Sequence, residues 1–182
     1  MRIISGKYKS RRINAPKKLP VRPTTDMAKE ALFSILNNNY CFNEISVLDL
    51  FAGTGNISYE FASRGTTQIT SVDQDFGCIK FINQTAEAFE MPIKTIKANV
   101  FKFLEQIHTK STIIFADPPY NFNDEQFSKL PELVFANDLL ENEGVLIIEH
   151  SKHTDLSQEK NYSYSKSYGG NMFSFFEYEK SD

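Results

Sequence analysis

The chain has no tryptophan, two cysteines and three histidines among its 182 residues. No apolar run approaches the ~20 residues that cross a bilayer, which excludes a helical membrane span. Cys41 and Cys78 stand far apart among apolar neighbours, with no CxxC pair. Two such cysteines build no disulfide framework and are expected as buried thiols of a reducing compartment. His108, His150 and His153 share no metal-ligand spacing with them, so no metal is expected. The N-terminus is basic but lacks the apolar stretch of a secretory signal, and a cytoplasmic, membrane-free protein is expected.

The most informative shortage is of acid. Residues 1–22 contain none, but carry Arg2, Lys7, Lys9, Arg11, Arg12, Lys17, Lys18 and Arg22. The net charge of −3 is therefore the sum of a +8 segment and a −11 remainder. Such asymmetry marks a localised polyanion contact. Composition alone favours a solvated, partly disordered basic tail.

Residues 2–13 mix β-formers with a Gly6 turn and read as a short basic hairpin. Pro16, Pro20 and Pro23 punctuate the next segment. A helix is expected from Thr25/Asp26, with Met27, Ala28, Ala31, Leu32, Ile35 and Leu36 on its buried face. Strands at 45–51, 68–73, 93–97, 112–116 and 144–149 then alternate with helical patterns at 57–63, 76–89, 100–107 and 130–140. Short apolar strands separated by helices imply a parallel sheet covered on both faces. The tail, 161–168 and 171–179, alternates Tyr and Phe with polar residues around Gly169-Gly170 and reads as an antiparallel hairpin at the sheet edge. The expected architecture is a doubly wound α/β domain over 23–182 with a basic extension, 1–22.

At the end of the first strand stands Asp49-Leu50-Phe51-Ala52-Gly53-Thr54-Gly55-Asn56. Paired glycines between strand and helix let the backbone pass close to a ligand. Asp73 closes the next strand 20 residues after Gly53, where a carboxylate accepts ribose hydroxyls. A dinucleotide site carries a third glycine where this chain has Ser58, and its pyrophosphate would be opposed by Asp49. A carboxylate there suits a cationic ligand instead, and S-adenosylmethionine carries both an ammonium and a sulfonium. Asp49 as a structural carboxylate bonding turn amides is the other reading. Asn99-Val100, after the third strand, offer an amide and an apolar surface to adenine.

Residues 112–116 run into Asp117-Pro118-Pro119-Tyr120. Two prolines fix φ twice and remove two N–H donors, leaving carbonyls as acceptors. A carboxylate, rigid carbonyls and an aromatic ring at the carboxyl end of a central strand suit a planar group with an exocyclic amine. Asp117 and the Pro118 carbonyl accept its two protons and Tyr120 stacks on the ring. Methyl transfer to that nitrogen needs alignment and preorganised acceptors, without metal or covalent nucleophile.

Taken together, these elements resemble the bacterial RsmD-type methyltransferases, which methylate N2 of a guanine in 16S ribosomal RNA. The resemblance also rests on the opening Met1-Arg2-Ile3-Ile4-Ser5-Gly6-Lys7-Tyr8-Lys9, on Arg22-Pro23-Thr24-Thr25-Asp26, on Glu30-Ala31-Leu32-Phe33, and on Glu149-His150 and Tyr168-Gly169. It implies a class I, Rossmann-like methyltransferase fold, S-adenosylmethionine as cofactor with S-adenosylhomocysteine as product, and a catalytic pocket at Asp117, Pro118, Pro119 and Tyr120. Asp49, Phe51, Ala52, Gly53, Thr54, Gly55, Asp73, Gln74, Asn99 and Val100 are the implied cofactor contacts. The eight basic residues of 1–22 are expected on RNA, and the partner is 16S rRNA within a small-subunit particle, acted on by a monomer. Lys29 stands where the family pattern has Arg; it keeps the charge and loses the bidentate fork. A DNA adenine-N6 or cytosine-N4 methyltransferase shares the Asp-Pro-Pro-Tyr turn. An NAD-dependent oxidoreductase would account for the glycine turn and Asp73 but leaves Asp49, Ser58 and the two prolines without a role. The aromatic tail and the Glu149-His150 pair read as packing and sheet-edge groups.

Overall fold

Alternating apolar residues on short strands and capped helices between them fold as the sequence pattern predicts, over α1 (Asp26–Asn39), β1 (Ser46–Leu50), α2 (Asn56–Ser63), β2 (Gln68–Asp73), α3 (Phe76–Ala88), β3 (Ile93–Lys97), α4 (Val100–Gln106), β4 (Ser111–Ala116), α5 (Asp124–Ala136), β5 (Leu140–Ser151), β6 (Tyr162–Tyr168) and β7 (Asn171–Phe176). The computed structural model describes residues 1–16, 18, 19 and 24–179; Lys17, Pro20, Arg22 and Pro23 lie outside the described residues.

One seven-stranded sheet has the order β3-β2-β1-β4-β5-β7-β6. Its first five strands are parallel, and β7 runs antiparallel between β5 and β6. Successive side chains on a strand point to opposite faces, and the core divides accordingly. Val47, Ile69, Ile113, Phe115, Val145 and Ile147 pack with Leu32, Phe33, Phe61 and Ile82 of α1, α2 and α3. Leu48, Leu50, Val72, Ile114, Leu146 and Ile148 pack with Leu104, Leu130 and Val134 of α4 and α5 on the other face. Strand order reverses between β1 and β4, the switch point at which such sheets bind ligands.

Four sequence expectations need correction. The fifth helix spans 124–136, not 130–140: Asn123 and Gln126 form a capping box that starts it early, Pro131 is tolerated inside it, and Asn137 ends it. Asp138, at φ +53°, turns the chain so that Leu139 and Leu140 enter the sheet side of the core. Met27 is 63% exposed, whereas Lys29 and Phe33 are buried on α1's inner face. Cys41 is exposed; only Cys78 of the two is buried. The N-terminal segment does run antiparallel, but through one bridge, Arg2 to Arg12. Tight turns consume the residues between: Lys9 N donates to Gly6 O and Arg11 N to Tyr8 O, each at 3.1 Å.

This segment is seated on α2 by polar bonds. Ile3 and Ile13 reach the core, and Glu60 of α2 accepts from the Ile4 and Ser5 amides at 2.8 and 3.0 Å. Ser63 accepts from Tyr8 N at 3.0 Å and donates to Ser5 O at 2.5 Å. Glu60 also accepts from Arg64 Nε at 2.9 Å and faces the Lys29 ammonium at 3.5 Å. Lys29 donates onward to Arg2 O at 2.7 Å and Asn56 Oδ1 at 2.8 Å. Burial pulls the Lys29 ammonium downward and the adjacent Glu60 pulls it back. A buried charge is tolerable only when paired and bonded in this way.

Gly6 allows the approach. Its φ is +83°, and a Cβ there would lie 1.9 Å from the Ser63 carbonyl oxygen. Gly6→Ala is expected to cost about 2–4 kcal/mol and lower the melting temperature by roughly 5–12 °C. An unchanged melting curve by circular dichroism would mean that the segment is not seated on α2.

Candidate active site

At the carboxyl edge of the parallel strands lies a cavity of about 810 Å³, centred on the β1/β4 switch point. The strand register explains why two separate motifs meet there. Asp49 pairs with Phe115 and Leu50 with Ala116, so the turn after β1 and the turn after β4 leave the sheet side by side.

The first turn is made by backbone that only special residues accept: Phe51, Gly53 and Gly55 have φ of +56°, +54° and +79°. At Gly55 a Cβ would meet the Tyr59 ring at 2.8 Å. Gly53 N donates to Asp73 Oδ2 at 2.8 Å, and Asp75 N donates to Asp73 Oδ1 at 2.8 Å. Asp73 thus ties the β1 turn to the start of α3, and each of its oxygens retains acceptor capacity. Asp49 is buried and accepts from the Ser58 hydroxyl at 2.6 Å; Ser58 is bonded in turn to Ser71 at 2.7 Å. Ser58, in the place of a third glycine, is therefore the group that orients Asp49. Asp49 also accepts from the Ser58 backbone, so both a hydroxyl and an amide hold it. Burial, reinforced by Asp73, pushes the Asp49 carboxyl up to about 7 against the Ser58 bonds.

On the opposite side stand Asp117, Pro118, Pro119 and Tyr120. Asp117 N bonds Leu50 O at 3.4 Å, continuing the β1/β4 ladder into the turn. Burial pushes the Asp117 carboxyl well above the usual carboxylate range, and the nearby Glu149 and Asp49 add to it. Glu149, one residue beyond Ile148 on β5, accepts from the Thr24 hydroxyl at 2.7 Å and from Asn171 Nδ2 at 2.5 Å. Those bonds oppose a burial effect that still lifts it to about 7. His150 points elsewhere: its Nδ1 donates to Ser151 O at 2.8 Å and its Nε2 accepts from the Ser174 hydroxyl at 2.7 Å. Burial lowers its pKa.

The cavity brings together Asp49, Phe51, Ala52, Gly53, Thr54, Asp73, Gln74, Asn99, Val100, Asp117, Pro118, Pro119 and Tyr120. Gly55 does not line it and acts through the turn. Sequence reasoning passed over Thr24, Asn56, Phe101, Phe122 and Gln126, which also line it. Phe51, Phe101 and Phe122 form an aromatic wall, with the last two stacked at 5.8 Å between centroids. The spacing of Phe101 and Phe122 carries no periodic signal, because both stand in turns or at a helix start. Asn56 Nδ2 donates to Thr24 O at 3.1 Å, so the segment entering α1 forms part of the wall.

Among the described residues, the basic side chains of the arm do not line the cavity. Lys7 sits 4.9 Å from the Tyr8 ring centroid and Arg11 5.7 Å from that of Phe89. Arg2 pairs with Asp26 at 3.3 Å, and Lys9, Arg12 and Lys18 are exposed. Lys17 and Arg22 lie outside the described residues. Among the described residues no three His, Cys, Asp or Glu side chains are placed to hold a metal ion, and no helix is long and apolar enough to cross a membrane.

Known proteins share this fold. The structure of yhhF from Escherichia coli has a TM-score of 0.85 at 24% identity, covering 98% of this chain and 99% of that one. SMU.776, solved in complex with SAH, has a TM-score of 0.64 at 19% identity, covering 81% of this chain and 49% of that longer one. The "Ribosomal RNA small subunit methyltransferase D" of Escherichia coli (strain K12) is 29% identical over 150 residues, 82% of this chain and 74% of the relative. A family model described as "Conserved hypothetical protein 95" matches residues 1–177. The fold is accordingly the class I, Rossmann-like methyltransferase fold, and the chain belongs to the Conserved hypothetical protein 95 family, the RsmD-type family that its motifs resemble.

Proposed function

We propose that this chain transfers a methyl group from S-adenosylmethionine to the exocyclic N2 of a guanine in small-subunit ribosomal RNA. The observation that carries the reading is one cavity lined on one side by Asp49, the Gly53 turn and Asp73, and on the other by Asp117–Tyr120. The donor set fits the cofactor: a buried carboxylate, Asp49, for a cationic end, and Asp73 for ribose hydroxyls. Asn99 and Val100 flank the adenine side. When bound, S-adenosylmethionine supplies an electrophilic methyl carbon on a sulfonium.

The rest is done by the chain. Asp117 and the Pro118 carbonyl accept the two N–H bonds of the amine and fix its lone pair in line with the methyl carbon. Tyr120 covers the base. Asp117, with its proton affinity raised, is a competent acceptor for the proton that leaves the nitrogen once the N–C bond forms. The target guanine enters this pocket unpaired or extruded, since its N2 otherwise points into a helix groove. Arg2, Lys7, Lys9, Arg11, Arg12 and Lys18 lie on the arm that faces phosphates, and the E. coli relative's name supports rRNA as the polymer. The acceptor is a small-subunit particle, and the enzyme acts as a monomer.

Two experiments test this reading. With undermethylated small-subunit particles and labelled S-adenosylmethionine, Asp117→Ala is expected to lower turnover by about 10³-fold or more while S-adenosylhomocysteine still binds by calorimetry. Mass spectrometry of the product should give N2-methylguanine. Labelled N6-methyladenine or N4-methylcytosine would favour the DNA-type reading, and tight NAD binding without S-adenosylhomocysteine binding the oxidoreductase.

The second experiment is a pH profile. Asp117 takes up the proton leaving the amine only when ionised, and burial with Glu149 and Asp49 holds its proton affinity up. Activity should therefore fall on acidification at a pH above that at which an ordinary carboxylate protonates. Removing the neighbouring charge in Glu149→Gln should move this acidic limb down by roughly half a unit or more. A limb that stays in place would separate Glu149 from the titrating group.

A further inference from the structure

Among the described residues three large apolar side chains are exposed: Met27 at 63%, Phe76 at 65% and Tyr120 at 56%. Tyr120 belongs to the proposed catalytic turn. Phe76 begins α3, directly after Gln74 and Asp75, which line the cavity. An aromatic ring left in water next to cavity-lining residues has no packing explanation on its own element, since α3 buries Cys78, Ile79 and Ile82 instead.

A basic group stands beside it. Lys97 ends β3 in register with Asp73, and its Nζ lies 5.9 Å from the Phe76 ring centroid. A flat apolar ring beside a cation combines the two contacts that single-stranded nucleic acid makes, a stacked base and a neutralised phosphate.

We propose that Phe76, with Lys97 beside it, is a stacking site for an unpaired nucleotide of the substrate RNA next to the target base. This rests on the reading of the chain as an RNA methyltransferase. It adds a nucleobase contact outside both the basic arm and the catalytic pocket, so that the RNA is held on two sides of the base being modified.

The test measures binding of undermethylated small-subunit particles directly, alongside methyl transfer and S-adenosylhomocysteine affinity. Phe76→Ala should weaken particle binding roughly tenfold, in line with one lost stacked base, with the same salt slope and unchanged S-adenosylhomocysteine affinity. Phe76→Tyr should restore binding. Lys97→Ala should weaken binding and reduce the salt slope by about one ion. Unchanged particle binding in Phe76→Ala overturns the proposal, and so does a loss confined to S-adenosylhomocysteine, which would put the ring in the cofactor site. If wild-type protein binds particles without methylating them and Phe76→Ala still weakens that binding, the stacking site stands and the methyltransferase reading falls.

Discussion

The parallel pairing of β1 with β4 is the constraint on which the rest depends. Because Leu50 lies opposite Ala116, the loops leaving these two strands have no choice but to emerge next to each other at the carboxyl edge. One loop carries left-handed residues and an acid at its base; the other carries two prolines and an acid at its start. The first then leads to α2 on one face of the sheet and the second to α5 on the other. The cavity is what remains between them.

That juxtaposition concentrates negative charge where water is scarce. Asp49, Asp117 and Glu149 stand near one another, and burial raises all three. Hydrogen bonds from Ser58 to Asp49, and from Thr24 and Asn171 to Glu149, offset part of the cost. Asp117 is pushed toward protonation by burial and by both of the other carboxylates. A cationic ligand and an amine that donates two N–H groups would each relieve this crowding. Stability given up to the clustered acids is thereby recovered as affinity for ligands of that chemistry, in keeping with the proposed reaction.

The basic segment is anchored by the opposite device. Glu60 is wholly buried, yet it is surrounded by the Ile4 and Ser5 amides, Arg64 and Lys29. Lys29, through Asn56, also touches the residue whose amide bonds Thr24, and Thr24 holds Glu149. A continuous set of polar contacts thus joins the arm to the edge of the site. Backbone groups of the arm make many of its docking bonds, while Lys9, Arg12 and Lys18 are exposed.

Much of this was legible in the chain itself. Strands β2 and β3 fall on the expected residues, and the Asp49–Gly55 and Asp117–Tyr120 motifs were identified as one site, because buried strands and strained turns demand particular residue types in short order. The fifth helix was placed late because its capping box, Asn123 with Gln126, precedes an apolar pattern that Pro131 interrupts. Met27 was assigned to the core because helical spacing cannot tell which neighbouring face is covered. Lys29 was noted as a conservative departure, while its burial among Arg2, Asn56 and Glu60 depends on three separate segments. The sequence by itself determined the doubly wound order, the two motifs and the basic arm, all of which arise from local period, backbone restriction and charge. Only the tertiary structure decided which carboxylates crowd together, that Thr24 and Phe122 complete the cavity, and that Phe76 stands exposed next to cavity-lining residues, because each depends on the packing of residues distant in the chain.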